Sequence, residues 1–382
     1  MVNNDDDNEP RGYLILRPEE LRPWELFRLL FSRDIDKPRS VDSSETKEPS
    51  FRRRWLIFVS LVLLKLLRLF SELLALLGSA LEFFLNFLSA NSLSGFFLRE
   101  YQEKETTQAF IMSTDKTSTP SNGQETTVVV AFRGTEPFNS EDWCSDFDIT
   151  WYELPNIGKI HGGFMKALGL QNNCSWPKEP LPNPDRLSPL AYYSIRDSLK
   201  TLIAQNKNTK FVLTGHSLGG ALAILFTAVL VIHNETGLLE RIQGVYTYGQ
   251  PRVGDSKFGD FMEKKLEEYD VKYYRFVYNN DIVPRLPYDD KDLMFKHFGT
   301  CIYYDQDYQA KMVYIAILEF IRSFTIVTEK GSEFREGWLL KGGRAMGIIV
   351  PGVSNHTPQD YVNATRLTPP CVFQIHRDVS IT

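Results

Sequence analysis

One short segment constrains the fold of this 382-residue chain more than any other, because it sets a serine between an apolar strand and an apolar helix. The segment Gly215-His216-Ser217-Leu218-Gly219 fits the pattern G-x-S-x-G; Phe211-Val212-Leu213 precedes it and Ala221-Leu222-Ala223 follows it. In this context a sharp turn holds the serine in a strained conformation with an exposed hydroxyl, and the small residues let strand and helix meet closely. We predict a nucleophile elbow in which Gly215, His216 and Gly219 surround a nucleophilic Ser217. The alternative is a small-residue turn without chemistry.

The rest of the chain after residue 107 alternates strand and helix patterns, which is typical of an α/β sheet. The predicted strands are Thr107–Met112, Thr126–Phe132, Lys210–Thr214, Ile242–Tyr248, Lys272–Tyr278 and His297–Tyr304. The predicted helices lie near 189–205, 219–232, 256–268 and 309–324. With the elbow, this order predicts an α/β-hydrolase fold with a mostly parallel central sheet.

A serine hydroxyl needs a base at neutral pH, and in this fold class the base follows the nucleophile and the acid in the chain. Four histidines lie downstream of Ser217, namely His233, His297, His356 and His376. His233 ends the predicted helix after the elbow and His297 begins a predicted strand. His356 sits in a late loop, where the base is expected. We predict His356 as the base, with His376 as the alternative.

The acid that orients the base is predicted to be Asp281. It follows the predicted strand Lys272–Tyr278, and the carboxyl ends of the strands form the ligand face of an α/β sheet. A turn-former or a helix cap would also suit this position, and Asp255 and Asp289 are weaker candidates for the acid. The oxyanion hole needs two donors, for which we predict the backbone N–H of Leu218 and the backbone N–H and hydroxyl of Thr135.

A second unusual segment runs from Trp55 to Leu98 and is dominated by Leu and Phe. Polar and small side chains recur in it at steps of three and four, at Lys65, Arg68, Glu72, Ala75, Ser79, Glu82 and Asn86. About 35 helical residues would extend about 50 Å, more than a hydrocarbon core of about 30 Å. A helix lying in a membrane interface, a re-entrant hairpin, one span within 73–91 and a helix packed on the protein's own core all remain open. Insertion from one side without full crossing is favoured.

Charge and cysteines narrow the class of protein. The net charge of −5 argues against a nucleic-acid binder. None of the four cysteines lies in a CxxC pair, so neither a zinc site nor a disulfide framework is expected, and the chemistry above requires no cofactor. The polar first fifty residues do not resemble a signal peptide. These features predict a cytosol-facing protein. The segments described so far divide it into a polar tail and linker at 1–50, a hydrophobic membrane-associated segment at 51–98 and the α/β-hydrolase domain at 101–382.

Several motifs in order give the chain a resemblance to the class 3 lipases of fungi and plants over roughly 105–365. They are Ala131-Phe132-Arg133-Gly134-Thr135, His161-Gly162-Gly163-Phe164, Gly215 to Gly220, Tyr248-Gly249-Gln250-Pro251-Arg252-Val253-Gly254, Asn280-Asp281-Ile282-Val283-Pro284, and His356 with Tyr361. The N-terminal Tyr13-Leu14-Ile15-Leu16-Arg17-Pro18 and the hydrophobic segment are most similar to plant oil-body lipases. The resemblance implies a Ser217–Asp281–His356 triad, an oxyanion hole at Thr135 and Leu218, triacylglycerol substrates, residence on lipid droplets and a lid at about 136–147.

Two departures from the family pattern bear on function. Asn355 stands where family members usually have Asp, and barely ten residues separate the hydrophobic segment from the strand near Thr107, where family members have a helical stretch. The rival interpretations are a phospholipase A1 or galactolipase on the same scaffold, and a catalytically weak lipid-droplet protein. Oligomeric state is not predicted.

Overall fold

Two six-stranded sheets and the helices packed on them form the described part of the chain. The computed structural model describes residues 12–22, 24, 26, 29, 39–44, 50–73, 76, 109–113, 126–135, 148–168, 170, 191–287, 295–304, 352 and 354–367. Predictions outside those residues concern the lid at 136–147, the helix at 309–324, nearly all of 74–98, the short connection at 98–108, Asp289 and His376.

The helices and strands are numbered in chain order. The strands are β1 (Gly12–Leu16), β2 (Val41–Ser43), β3 (Ala109–Ser113), β4 (Thr126–Phe132), β5 (Trp151–Leu154), β6 (Gly158–His161), β7 (Thr209–His216), β8 (Ile242–Tyr248), β9 (Gly254–Asp255), β10 (Lys272–Tyr278), β11 (Phe295–Lys296) and β12 (Thr300–Tyr304). The α-helices are α1 (Phe51–Leu69), α2 (Gly162–Ala167), α3 (Ala191–Gln205), α4 (Leu218–Ile232), α5 (Thr236–Leu239), α6 (Ser256–Glu268) and α7 (Pro358–Leu367). Short 3-10 helices lie at Pro18–Glu20, Val283–Arg285 and Ser354–His356.

The central sheet carries the elbow, and its strand order is β12-β10-β8-β7-β4-β3. Every neighbouring pair in it is parallel except the edge pair β3 and β4. The prediction of a mostly parallel central sheet is therefore confirmed for the described residues, and β4, β8, β10 and α6 have the predicted bounds.

Helix α4 forms the centre of the core behind this sheet. All its residues from Leu218 to Val231 are buried, which matches its apolar composition all round. It packs on β7, β8 and β4, and the short helix α2 covers it further. Because α4 starts directly after the elbow serine, this packing also fixes the position of the elbow.

The second sheet, which the sequence analysis did not predict, has the order β11-β9-β6-β5-β1-β2 and antiparallel pairs. Strand β1 pairs with β5, so that Leu14 lies opposite Trp151. The prediction that 1–50 is only a polar tail and linker is wrong for its described residues. Leu14 and Leu16 are buried, and Val41 of β2 joins the same core. Because these apolar side chains are buried, β1 and β2 belong to the folded domain, whereas a polar linker would stay exposed to water.

Helix α1 packs one face on this second sheet. Ile57, Leu61 and Leu64 are buried against the apolar core of β1, β2 and β5. Two residues of the polar stripe contact the protein as well, since Lys65 Nζ donates to the carbonyl of Leu21 and Arg68 Nη1 lies 2.7 Å from Glu19 Oε2. For residues 51–69 the alternative in which the helix packs on the protein's own core is thus borne out on one face.

The opposite face of α1 stays exposed and apolar. Trp55, Leu66 and Leu69 lie on it, and the helical residues Leu73 and Leu76 that follow are exposed as well. Within the described ranges, no helix combines the length and apolar character that a membrane crossing requires.

The predicted strand His297–Tyr304 is wrong as one element. Phe295–Lys296 pairs with β9 in the second sheet, whereas Thr300–Tyr304 pairs with β10 in the central sheet. Gly299 separates them with a φ of 75°, and a Cβ there would lie 2.2 Å from the ring of Tyr273. The chain therefore leaves one sheet and enters the other at a position that only glycine occupies without strain.

Candidate active site

The elbow holds Ser217 in a conformation that few non-glycine residues adopt. Its φ is 57° and its ψ is −129°. The backbone N–H of Ser217 donates to the carbonyl of Tyr248 over 2.8 Å, which ties the turn to the neighbouring strand β8. Such strain persists only where surrounding contacts enforce it, and here it directs the hydroxyl out of the sheet.

Close packing around the elbow explains its glycines. A Cβ on Gly215 would lie 2.2 Å from the backbone of Gly219, and a Cβ on Gly219 would lie 2.2 Å from the carbonyl oxygen of Phe132. Strand β4 therefore ends directly against the start of α4. Only residues without side chains at these two positions allow that contact.

The structure brings the three predicted triad residues together. His356 Nε2 lies 2.6 Å from Ser217 Oγ, and His356 Nδ1 lies 2.8 Å from Asp281 Oδ2 and 3.0 Å from Oδ1. A carboxylate only accepts, so Nδ1 carries the hydrogen and the lone pair of Nε2 faces the serine hydroxyl. This tautomer is the one in which the imidazole can take the hydroxyl proton.

Asp281 is fully buried, and donors surround its carboxylate. The hydroxyl of Tyr361 donates to Oδ2 over 2.5 Å, and the backbone N–H of Val283 donates to Oδ1 over 2.9 Å. Burial, followed by the nearby carboxylate, raises the pKa of Tyr361 well above its ordinary value, so this hydroxyl stays a donor. The buried carboxylate is therefore oriented from both sides before it meets His356.

Cationic side chains fasten the loop that carries Asp281. Arg285 Nε donates to the carbonyl of Asp281 over 3.1 Å, and Arg252 Nη1 donates to the carbonyl of Pro287 over 2.6 Å. His297 Nε2 donates to the carbonyl of Pro284 over 2.6 Å. Burial lowers the pKa of His297 to about 3, so this histidine is neutral and serves as a neutral donor.

Gly249 lies against the junction of the acid and the base. Its φ is 58°, and a Cβ there would lie 2.9 Å from Asp281 Oδ2 and 3.0 Å from His356 Nδ1. Any side chain would enter the hydrogen bond between these two residues. The glycine after β8 is therefore part of the site.

One predicted oxyanion donor directly follows the serine, and the other lies in the loop after β4. Leu218 is the first residue of α4, whose positive N-terminal end faces the site. Thr135 follows Gly134, where a Cβ would lie 2.7 Å from the carbonyl oxygen of His216 and 3.4 Å from Ser217 Cβ. The loop after β4 thus packs directly against the elbow at His216 and Ser217.

The remaining candidates lie apart from this group. Asp255 caps α6 by accepting from the N–H of Phe258 over 2.9 Å. His233 lies 3.0 Å from the hydroxyl of Tyr192, at the far end of α4. Neither contacts Ser217.

Sequence reasoning assigned no role to two residues of the site, Tyr361 and Gly249. Both stood within quoted motifs, but only the folded chain shows that the Tyr361 hydroxyl meets Asp281 and that Gly249 leaves room beside it. The available signal was a glycine immediately after a predicted parallel strand, where a side chain would reach the ligand face.

Comparison with known proteins finds matches among the lipases. The family described as Lipase (class 3) matches residues 129–291. The chain is 42% identical over 303 residues to the triacylglycerol lipase OBL1 of Arabidopsis thaliana, covering 71% of this chain and 57% of that protein. It is 41% identical to the triacylglycerol lipase OBL1 of Nicotiana tabacum, covering 70% of this chain and 59% of that protein. The chain therefore spans less than two thirds of the length of these curated relatives.

Solved structures of fungal lipases are also similar. The lipase of Rhizopus microsporus var. chinensis gives a TM-score of 0.38 at 25% identity, over 53% of this chain and 58% of that one. The propeptide complex of the Rhizomucor miehei lipase gives a TM-score of 0.36 at 27% identity, over 47% and 50%. The sequence matches place residues 129–291 of the chain in the class 3 lipase family.

Proposed function

We propose that the chain is a serine ester hydrolase that releases fatty acids from triacylglycerol. The observation that carries this proposal is the hydrogen-bonded series Ser217–His356–Asp281, with 2.6 Å between Ser217 Oγ and His356 Nε2. The curated relatives named triacylglycerol lipases support the choice of substrate.

The geometry supports the following reaction. His356 Nε2 takes the proton of Ser217 as Oγ attacks the ester carbonyl carbon, and the developing oxyanion is held by the N–H of Leu218 and by Thr135. The imidazolium then protonates the leaving alkoxide, which departs as diacylglycerol and leaves an acyl group on Ser217. His356 next takes a proton from water, the hydroxide attacks the acyl carbonyl, and the fatty acid leaves as the serine regains its proton.

The test of this proposal is hydrolysis of emulsified triacylglycerol by the purified chain and by its Ser217→Ala variant. We expect release of fatty acid by the wild type, and a loss of about four to six orders of magnitude in the variant. Folding of the variant is checked by its thermal midpoint. Equal release by both proteins would contradict the assignment of Ser217.

Phospholipid vesicles and galactolipid dispersions form the second arm of the same experiment, because the triad does not select a head group. Preference for either lipid over triacylglycerol would overturn the proposed substrate while leaving the serine mechanism in place. Folded protein without activity on any of these lipids would favour a lipid-droplet protein with weak catalysis.

We also propose that the chain faces the cytosol and binds a phospholipid-coated lipid surface, such as that of a lipid droplet, through the exposed face of α1. Leu69 and Leu73 on this face are 71% and 51% exposed, although both are large apolar side chains. Arg52 is exposed at the start of the same helix, where it can meet anionic head groups. The buried face of α1 is already occupied by the second sheet, so only the outer face is left for the lipid.

A flotation assay with phospholipid-coated triolein droplets tests this binding. We expect Leu66→Glu combined with Leu69→Glu to shift the protein from the floating fraction to the aqueous one, since apolar contact drives such binding. Met112→Glu is the matched control, because Met112 is 62% exposed on the distant strand β3. Equal flotation of the double variant and the control would contradict the proposed surface.

A further inference from the structure

His216 contacts the base His356 and also Tyr361, the tyrosine that donates to Asp281. Among the described residues it makes no hydrogen bond to Ser217 or Asp281. It is the last residue of β7 and directly precedes Ser217. Its ring centroid lies 4.6 Å from that of His356 at an interplanar angle of 32°, and 5.4 Å from that of Tyr361 at 64°. One side chain thus supports the base and also the tyrosine that donates to Asp281.

Hydrogen bonding explains the orientation of this ring only in part, since one ring nitrogen donates to the backbone carbonyl of His356. Its Nε2 is buried and has no hydrogen-bond partner among the residues that the structure describes. An unpaired buried nitrogen destabilises the fold, and an apolar ring of the same shape would avoid that penalty. What the ring does offer is a flat face packed on His356.

The charge state of the His216 ring also affects the base, His356. Burial, and then the nearby His356, hold the pKa of His216 well below its ordinary value, so the ring is neutral. A charged neighbour would oppose the imidazolium that forms on His356 when it takes the serine proton. A neutral aromatic face instead attracts a cation placed above it.

We infer that His216 is a positioning residue, whose neutral ring face holds the imidazole of His356 between Ser217 and Asp281 and favours its charged form. The inference rests on the proposed hydrolase function. It gives the face of the ring a role of its own, beside the hydrogen bond that the ring makes to the backbone of His356.

Two substitutions separate these parts of the side chain. His216→Phe keeps a flat ring and removes both nitrogens, the unpaired one and the one bonded to the backbone of His356, whereas His216→Leu removes the ring as well. With p-nitrophenyl butyrate as the substrate, we expect kcat to fall about 10- to 100-fold in the Leu variant, since small misplacements of catalytic groups cost rates of this size. The KM should stay within about twofold. The Phe variant should keep kcat within a few-fold of the wild type and unfold at an equal or higher temperature.

His233→Leu is the control, because it removes a histidine at the far end of α4, where it meets Tyr192. Its thermal midpoint is expected to fall while kcat per folded molecule is unchanged. Rates are therefore normalised to the folded fraction, measured by circular dichroism.

Three results would overturn the inference while the wild type is active. These are a Leu variant as fast as the wild type, a loss in the Leu variant equal to its loss of folded protein, and a Phe variant as slow as the Leu variant. A wild type that does not hydrolyse the ester would instead contradict the proposed function, and the inference with it.

Discussion

At the scale of single residues, the site is organised around the fully buried Asp281. Its carboxylate receives hydrogen bonds from His356, from Tyr361 five residues later, and from the backbone of Val283 in the turn that follows Asp281. A buried carboxylate without such donors would favour its protonated form and would fail to orient the base. The donors therefore fix the orientation in which the carboxylate of Asp281 meets His356.

Removing the hydroxyl of Tyr361 tests this arrangement. Tyr361→Phe is expected to lower kcat/KM about 10- to 100-fold, because a hydrogen bond to a charged group contributes about 1.5–3 kcal/mol. Steady-state kinetics with a soluble ester measures the change. Tyr303→Phe is the matched control, since that half-exposed hydroxyl donates to the carbonyl of Asn279 and does not contact the carboxylate. Equal activity of Tyr361→Phe and the control would show that the hydroxyl does not matter.

The space at Gly249 gives a second prediction. Gly249→Ala is expected to lower kcat at least about 10-fold, because the methyl group would displace Asp281 or His356 and also strain a backbone with positive φ. The strain alone costs about 1–2 kcal/mol of stability, which thermal unfolding measures. Gly237→Ala is the control, because nothing lies within 4 Å of a Cβ at that position. An unchanged kcat in Gly249→Ala would argue that the site relaxes around the methyl group.

At the scale of elements, helix α1 has two apolar faces with different partners. Its inner face buries Ile57, Leu61 and Leu64 in the core of the second sheet, and its outer face presents Leu66 and Leu69 to the surroundings. A helix that only dipped into lipid would not need the inner face. Helix α1 is therefore part of the folded domain.

Truncating the two faces separately checks this conclusion. Leu61→Ala is expected to lower the free energy of unfolding by about 2–4 kcal/mol, because the side chain is fully buried and leaves a cavity. Leu66→Ala, on the same helix but 43% exposed, should change it by less than about 1 kcal/mol. Chemical denaturation measures both values. Similar small effects at the two positions would mean that α1 does not contribute to the domain's stability.

The comparison between sequence and structure also belongs at this scale. Strands such as β4 and β10 have the predicted bounds because their apolar patterns are local and turn residues end them. The second sheet was missed because strands such as β9 and β11 have only two residues each and pair with distant segments. Ser217 was recognisable from its neighbours, whereas the role of Tyr361 depends on a contact across 80 positions. Periodicity likewise revealed a face on α1 but could not show what covers it.

At the scale of the whole molecule, buried neutral histidines link the fold to pH. Burial lowers the pKa of His161 to about 4 and that of His297 to about 3, against 6.5 for the ordinary value. Below pH 6.5 these two histidines bind protons in the unfolded chain but stay neutral in the folded chain until the pH reaches their lowered pKa values. Their contribution to the free energy of unfolding is therefore fully present above pH 6.5 and is lost as the pH falls toward the lowered pKa values.

The size of this loss can be measured by chemical denaturation at pH 7 and pH 5. Each such histidine is expected to lower the free energy of unfolding by about 2 kcal/mol between these values, from about 1.4 kcal/mol per pH unit. His161→Asn should reduce the total change by that amount, because Asn can still accept from the N–H of Phe164 as His161 Nδ1 does. The same pH dependence in the variant and the wild type would contradict the assignment.

The pairing of β1 with β5 has a consequence for biosynthesis. Leu14 leaves the ribosome long before Trp151, its partner across the two strands, has been translated. At a translation rate of about 5–20 residues per second, the inner face of α1 is synthesised several seconds before β5, a strand whose Trp151 helps to cover it. During that interval both faces of the nascent helix are open to chaperones or to a membrane. The completed second sheet then leaves only the outer face available.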